Sequence, residues 1–186
     1  IEFGVKGALA DGTYYNLSYF MVDWDNPQLN TSTPVNGYYA VVNGDTAQIN
    51  GFDVELSGSA GAIDWNVGYS NKNARLSSDF YTPADTPVLY ARSGAKLPGS
   101  PDHTFNLNLA HTSYFGKTDD ILSGMGMVNR LDLYAQSSTR NYIGDNSAYD
   151  AEFDGFNIIN ASSTIFNDDM YVLSLIHISE PTRLAW

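Results

Sequence analysis

IDWNVGYS, residues 63–70, alternates large apolar or aromatic side chains with small or polar ones at every step. Successive side chains of a β-strand point to opposite faces, so this stretch predicts a strand with one apolar and one polar face. The same period of two recurs around Phe3, Val54 and Leu107. Because the pattern is repeated along most of the chain, we predict an all-β protein.

Eight stretches are expected to be strands, and the links between them alternate in length. The predicted strands cover residues 1–10, 13–26, 45–58, 62–77, 103–115, 121–140, 153–166 and 169–176. Short links such as Asp11-Gly12 alternate with long ones at 27–44, 78–102 and 141–152. This rhythm is expected of an up-and-down barrel with tight periplasmic turns and long extracellular loops. A sandwich with Greek-key links has no reason to alternate in this way.

Strand length favours a membrane barrel as well. A membrane-crossing strand needs about 9–11 residues, whereas strands of soluble proteins usually have about 5–6. The stretches 13–25 and 62–76 are long and nearly uninterrupted. No run approaches the ~18 consecutive apolar residues of a membrane-spanning helix.

Composition excludes several classes of function. The formal net charge of −12 opposes binding to a phosphate backbone, so we expect no nucleic-acid partner. The chain has no cysteine, which excludes a disulfide-stapled domain, a thiolate metal site and a cysteine nucleophile. The three histidines have no spacing that indicates a zinc or iron site. We therefore predict no catalytic, cofactor-binding or metal-ligating residue, and no enzyme.

Two motifs resemble the β-barrel of TonB-dependent receptors. Residues 43–56, NGDTAQINGFDVEL, resemble the family's pattern of Asn, Ala, Gly and two acids at alternate positions, with Asp53 where glutamate is usual. Residues 97–107, LPGSPDHTFNL, resemble the family's Leu-Pro-Gly-x-Pro-Glu-His-Thr start of a strand, with Asp102 in place of glutamate. The likeness runs along most of residues 1–173, and the order and spacing of its motifs are more specific than each motif alone.

The resemblance implies an antiparallel transmembrane β-barrel, of which about eight strands are present. Family barrels have about 22 strands around a plug, and this sequence shows no TonB box, plug or closing strand. We therefore expect residues 1–173 to be an internal part of a larger up-and-down barrel, which as a fragment forms a curved open sheet. Residues 174–186, beginning SLIHISEPTR, resemble translated sequencing-adapter read-through and are expected not to be native; a genuine terminal strand is the alternative.

The function implied by the resemblance is high-affinity import across the bacterial outer membrane. The strands would contact outer-membrane lipid, and TonB would supply energy through a missing N-terminal region. An iron-siderophore is the first expectation for the ligand, with vitamins, haem, nickel and glycans left open. Two other classes remain: a passive porin or other outer-membrane barrel, and a soluble β-sandwich that binds carbohydrate.

Ligand-binding candidates lie in the longest predicted loop, residues 78–102. Loops carry recognition in barrels and sandwiches alike. Aromatic side chains and an arginine could grip a ferric chelate or another anionic ligand; the candidates are Phe80, Tyr81, Tyr90 and Arg92.

Lumen-lining candidates lie on the polar faces of predicted strands. Asp53 and Glu55 are two residues apart, so they share a face that continues into Ser57. A polar barrel interior accounts for this pair better than acid–base catalysis does. Asn66 and Asn106 are the corresponding candidates on neighbouring strands.

Overall fold

The alternating sequence forms strands over nearly all of the chain that the structure describes. The structure is a computed structural model, and it describes residues 1–32, 39–82, 85–116, 124–144 and 151–181. The strands are β1 (Glu2–Ala8), β2 (Tyr14–Asp25), β3 (Gln28–Ser32), β4 (Tyr39–Asn43), β5 (Thr46–Ala60), β6 (Ile63–Leu76), β7 (Phe80–Tyr81), β8 (Leu89–Ala91), β9 (His103–Tyr114), β10 (Gly126–Gln136), β11 (Thr139–Arg140), β12 (Glu152–Phe153), β13 (Phe156–Phe166) and β14 (Tyr171–Pro181). No helix in these ranges is long and apolar enough to span a membrane.

Eight long strands form one antiparallel sheet. Its order is β1-β2-β5-β6-β9-β10-β13-β14, so each long strand pairs with the next one along the chain. This meander confirms the predicted all-β, antiparallel fold. The sheet is not closed within the described residues, because β1 and β14 each pair on one side only. A sandwich needs two facing sheets of comparable size, and the other sheets described here have two strands each. The β-sandwich alternative is therefore wrong.

Two predicted strand ends differ from the structure. The strand expected at 121–140 ends at Gln136, and its last two residues form the separate strand β11; residues 121–123 lie outside the described part. β9 begins at His103, so its pairing with β10 cannot extend further in this direction. The last hydrogen bond at this end runs from the backbone N–H of Ser137 to the carbonyl oxygen of His103, at 3.0 Å. The last strand continues to Pro181 instead of ending at 176.

The sequence suggested that the long links are plain loops. The structure shows instead that each of them contains a two-stranded ribbon. β3 pairs with β4, β7 with β8, and β11 with β12. Such pairing gives hydrogen-bond partners to backbone groups that a long loop would otherwise leave without them. The ribbons lie at one end of the sheet, which we term the loop end.

The short links lie at the opposite end, the turn end. The described links β1–β2, β5–β6 and β13–β14 are short, as predicted, whereas the short link predicted at 116–120 lies largely outside the described residues. Between β1 and β2, Gly12 has φ +85°, a left-handed conformation that glycine adopts without strain. The backbone N–H of Thr13 donates to Asp11 Oδ1 at 2.9 Å. Hydrogen bonds from Thr13 stabilise the carboxylate and lower the pKa of Asp11.

Candidate functional site

One face of the sheet carries an apolar band at the middle of the strands. The register aligns a row of side chains perpendicular to the strands, of which Val67, Leu107 and Leu133 form the middle. On the same face, the row nearer the turn end becomes polar from β9 onward, at His111, Asn129 and Ser163. The apolar row continues to both edges and comprises Gly7, Tyr15, Leu56, Val67, Leu107, Leu133, Ile159 and Ile178. Many large side chains of this apolar face are exposed, Phe3 at 69% and Leu17 at 37% among them. Contiguous apolar exposure on this scale indicates a surface that contacts lipid or another apolar partner.

The opposite face of the sheet is polar in the register row next to this apolar row, where most side chains can form hydrogen bonds. The row paired through the register is Ser57, Asn66, Asn108, Asp132, Asn160 and His177. Asn108 Nδ2 donates to Asp132 Oδ1 at 2.8 Å, and the side chains of Asn160 and His177 are in contact. Cross-strand pairs of this kind contribute to sheet stability.

The four predicted lumen-lining residues all lie on the polar face. Asn66 Nδ2 donates to Glu55 Oε1 at 3.3 Å, and Asn106 Nδ2 donates to Asn66 Oδ1 at 3.1 Å. Gly68 leaves the space for this amide chain, because a Cβ there would lie 2.2 Å from Asn106 Oδ1. Asp53 stands apart from the chain, paired in register with two serines. The described residues contain no group of three or more potential metal ligands. Chemically, the polar face offers donors and acceptors to water or a polar solute.

Toward the loop end the two faces exchange polarity. The exchange occurs between two adjacent register rows, Tyr19–Phe52–Asn71 and Phe20–Gly51–Lys72. Beyond them, Val22, Ile49 and Ala74 occupy the side that is polar elsewhere. The row Asp23–Gln48–Arg75 occupies the side that is apolar elsewhere, where Gln48 Nε2 donates to Asp23 Oδ1 at 2.9 Å. The apolar face therefore ends at the same level on three neighbouring strands.

The side chains that become apolar at the loop end pack beneath the long links. The buried cluster, which we term the loop core, consists of Leu29, Ala47, Ala74, Leu76, Phe80, Ala91, Leu97 and Ile143. It combines strand residues with residues from three different links. Because burial of apolar area is the main stabilising contribution in water, the loop core holds the links against the sheet.

The motif LPGSPDHT anchors one of these links. Leu97 is 6% exposed within the loop core, and Gly99 has φ +68°. Asp102 Oδ1 lies 3.1 Å from Arg75 Nη2, and Asp102 Oδ2 lies 2.9 Å from Lys96 Nζ. The aspartate that replaces the usual glutamate thus bridges two cations. The sequence had not identified these two partners, although basic residues close to an acidic motif position are a readable signal.

The next motif residue, His103, is held by a side chain of β6. Its Nδ1 lies 2.9 Å from the hydroxyl of Tyr69, and the two rings stack with centroids 6.1 Å apart. The backbone N–H of His103 donates to Ser137 Oγ at 3.1 Å. These contacts give the motif a structural role at the start of β9.

The four loop candidates divide into two pairs. Phe80 is 3% exposed in the loop core, and its ring meets Tyr90 edge-on with centroids 5.6 Å apart. Tyr81 and Arg92 are exposed. Phe80 and Tyr90 therefore pack against each other, whereas Tyr81 and Arg92 are accessible to solvent.

Comparison with known proteins adds one match. The family model described as "TonB dependent receptor-like, beta-barrel" matches residues 1–174. No curated protein and no solved structure matches the chain.

Proposed function

The chain belongs to the TonB-dependent receptor-like β-barrel family, and from this membership we propose that it serves the import of an iron-siderophore driven by TonB. Members of the family are outer-membrane receptors and transporters, and they are not enzymes. The barrel portion supplies the wall that separates lipid from the transport path, and the loops that receive the ligand.

The observation that carries the proposal is the separation of polarity across the aligned strands. On β6 the apolar side chains run from Ile63 to Tyr69, which at ~3.4 Å per residue is ~20 Å before the reach of the terminal side chains is added. Membrane barrels have an apolar band ~25 Å tall. Because barrel strands tilt by about 35–45°, the apolar run of β6 covers ~15 Å along the membrane normal, which is a part of that height.

The polar face is the lumen side in this proposal. Asp53, Glu55, Asn66 and Asn106 line the lumen, and the linked amides keep it hydrated. Lumen faces of membrane barrels are polar for the same reason: water, or a plug with a polar surface, fills them.

The ligand is received at the loop end. Tyr81 and Arg92 are exposed there and can contact an anionic chelate, because guanidinium groups pair with carboxylates and aromatic rings stack on flat ligands. Phe80 and Tyr90 support the same loop from the loop core.

The test is iron accumulation in bacteria that lack their own siderophore receptors. Cells that produce the complete gene product are supplied with radioactive iron bound to hydroxamate or catecholate siderophores, with and without functional TonB. We expect accumulation that requires TonB. Accumulation that persists without TonB would instead identify a passive porin, and no accumulation from either siderophore class would exclude these chelates as the ligand.

A further inference from the structure

A cavity of about 400 Å³ lies where the links at the loop end fold over the sheet. Its walls come from β2, β3, β5 and β6 and from the links after β8 and β11. The volume is at the lower end of the ~300–1,000 Å³ range of small-molecule sites. None of the four loop residues predicted from the sequence lines this cavity.

Lys72 is the one charged side chain among the described residues that line the cavity. The residue is half-buried, and its side chain has no ion-pair or hydrogen-bond partner among the described residues. Its neighbour in register on β5 is Gly51, which has no side chain to compete for the ammonium group. An ammonium group without a partner beside a cavity can form a charge-assisted hydrogen bond to an anion that enters the cavity.

The remaining walls suit an apolar body. Trp24 is 44% exposed at the cavity, and Leu29, Ile49 and Leu97 complete an aliphatic floor. Asn30 and Ser100 add neutral polar groups to the lining. A cavity with one cation and apolar walls matches an organic anion with a single charged group.

We propose that this cavity binds a small organic carboxylate with a ring-sized apolar body. Lys72 pairs with the carboxylate, and the body packs against Trp24 and the aliphatic floor. The inference rests on the proposed function, in that it assigns a ligand subsite at the loop end of an import barrel.

The probe for the test is benzoate, titrated by calorimetry into the full chain purified in detergent. Its neutral isostere benzamide measures the contribution of the charge. We expect benzoate to bind at least ~10-fold more tightly than benzamide, which is the ratio of a single charge-assisted contact of ~1.4 kcal/mol. Equal binding of the two probes, or no binding of benzoate, would overturn the proposal.

Variants locate the contact. Lys72→Met should weaken benzoate binding by ~10-fold, and Lys72→Arg should retain it. Lys6→Met removes a cation from β1, outside the cavity, and should leave binding unchanged. Benzoate binding that is unaffected by Lys72→Met, or weakened equally by Lys6→Met, would overturn the assignment.

The proposed binding site in the cavity and the proposed siderophore transport can be refuted independently of each other. Iron accumulation that depends on TonB, together with a chain that does not bind benzoate, would remove the cavity site alone. Benzoate binding that depends on Lys72, in a protein that accumulates no iron, would retain the site and remove the siderophore.

Discussion

Replacing Leu107 with arginine places a charge in the middle of the apolar face. Leu107 lies between Val67 and Leu133 in the row that crosses the sheet. Arginine at the bilayer midplane of a barrel costs about 2–4 kcal/mol, which already includes the transfer of the side chain into lipid. We expect the free energy of unfolding to fall by about 3 kcal/mol, a ~100-fold change in the folded-to-unfolded ratio. At a denaturant slope of ~2–3 kcal/mol per molar urea, the midpoint moves by ~1–1.5 M.

The adjacent residue provides the matched control. Asn108 lies on the polar face of the same strand, beside Asp132, with which an arginine can pair. Asn108→Arg should therefore change the free energy of unfolding by less than ~0.5 kcal/mol. The assay is urea unfolding of the full chain in lipid vesicles, followed by tryptophan fluorescence. Equal midpoint shifts for the two variants, or a larger shift for Asn108→Arg, would refute the assignment of the apolar face to lipid.

Three further substitutions test the packing at the loop end by thermal or urea unfolding. Asp102→Asn leaves two cations opposite a neutral amide and should lower the free energy of unfolding by about 1–2 kcal/mol, whereas Asp102→Glu should be tolerated; equal losses would contradict a role for the charge. Gly51→Ala would place a Cβ 2.1 Å from a backbone oxygen of the next strand and should cost about 2–3 kcal/mol, while Gly4→Ala, with its nearest atom at 3.5 Å, should be nearly neutral. Tyr142→Phe removes a buried hydroxyl without a partner and should raise the free energy of unfolding by about 1 kcal/mol; a loss of similar size would show that the hydroxyl has a partner.

The long strands could be predicted from the sequence because each depends on local alternation. For residues Ile63 to Ser70, only one orientation of the strand places the apolar side chains toward lipid and the polar ones away from it. The neighbouring long strands show the same alternation. The polar-face residues Glu55, Asn66 and Asn106 followed from the same period of two. Their mutual hydrogen bonds depend on the register, which alternation alone does not fix.

The loop end could not be predicted to the same degree. Phe80 reads as an exposed loop aromatic in the sequence, yet it belongs to a buried cluster with strand residues such as Leu29 and Ala47 that are distant along the chain. In the sequence, the apolar residues of β5 shift from odd to even positions between Ile49 and Phe52. Only the alignment of the strands shows that neighbouring strands exchange the polarity of their faces at the same level. The residues that line the cavity around Lys72 come from six segments, so no local sequence pattern predicts the cavity.

The level at which the faces exchange polarity, marked by Phe20, Gly51 and Lys72, separates substitutions that alter the apolar face from substitutions that alter the loop core. Because effects of distant, non-contacting substitutions are nearly additive, a change in the loop core and a change at the middle of the strands should alter the free energy of unfolding independently of each other.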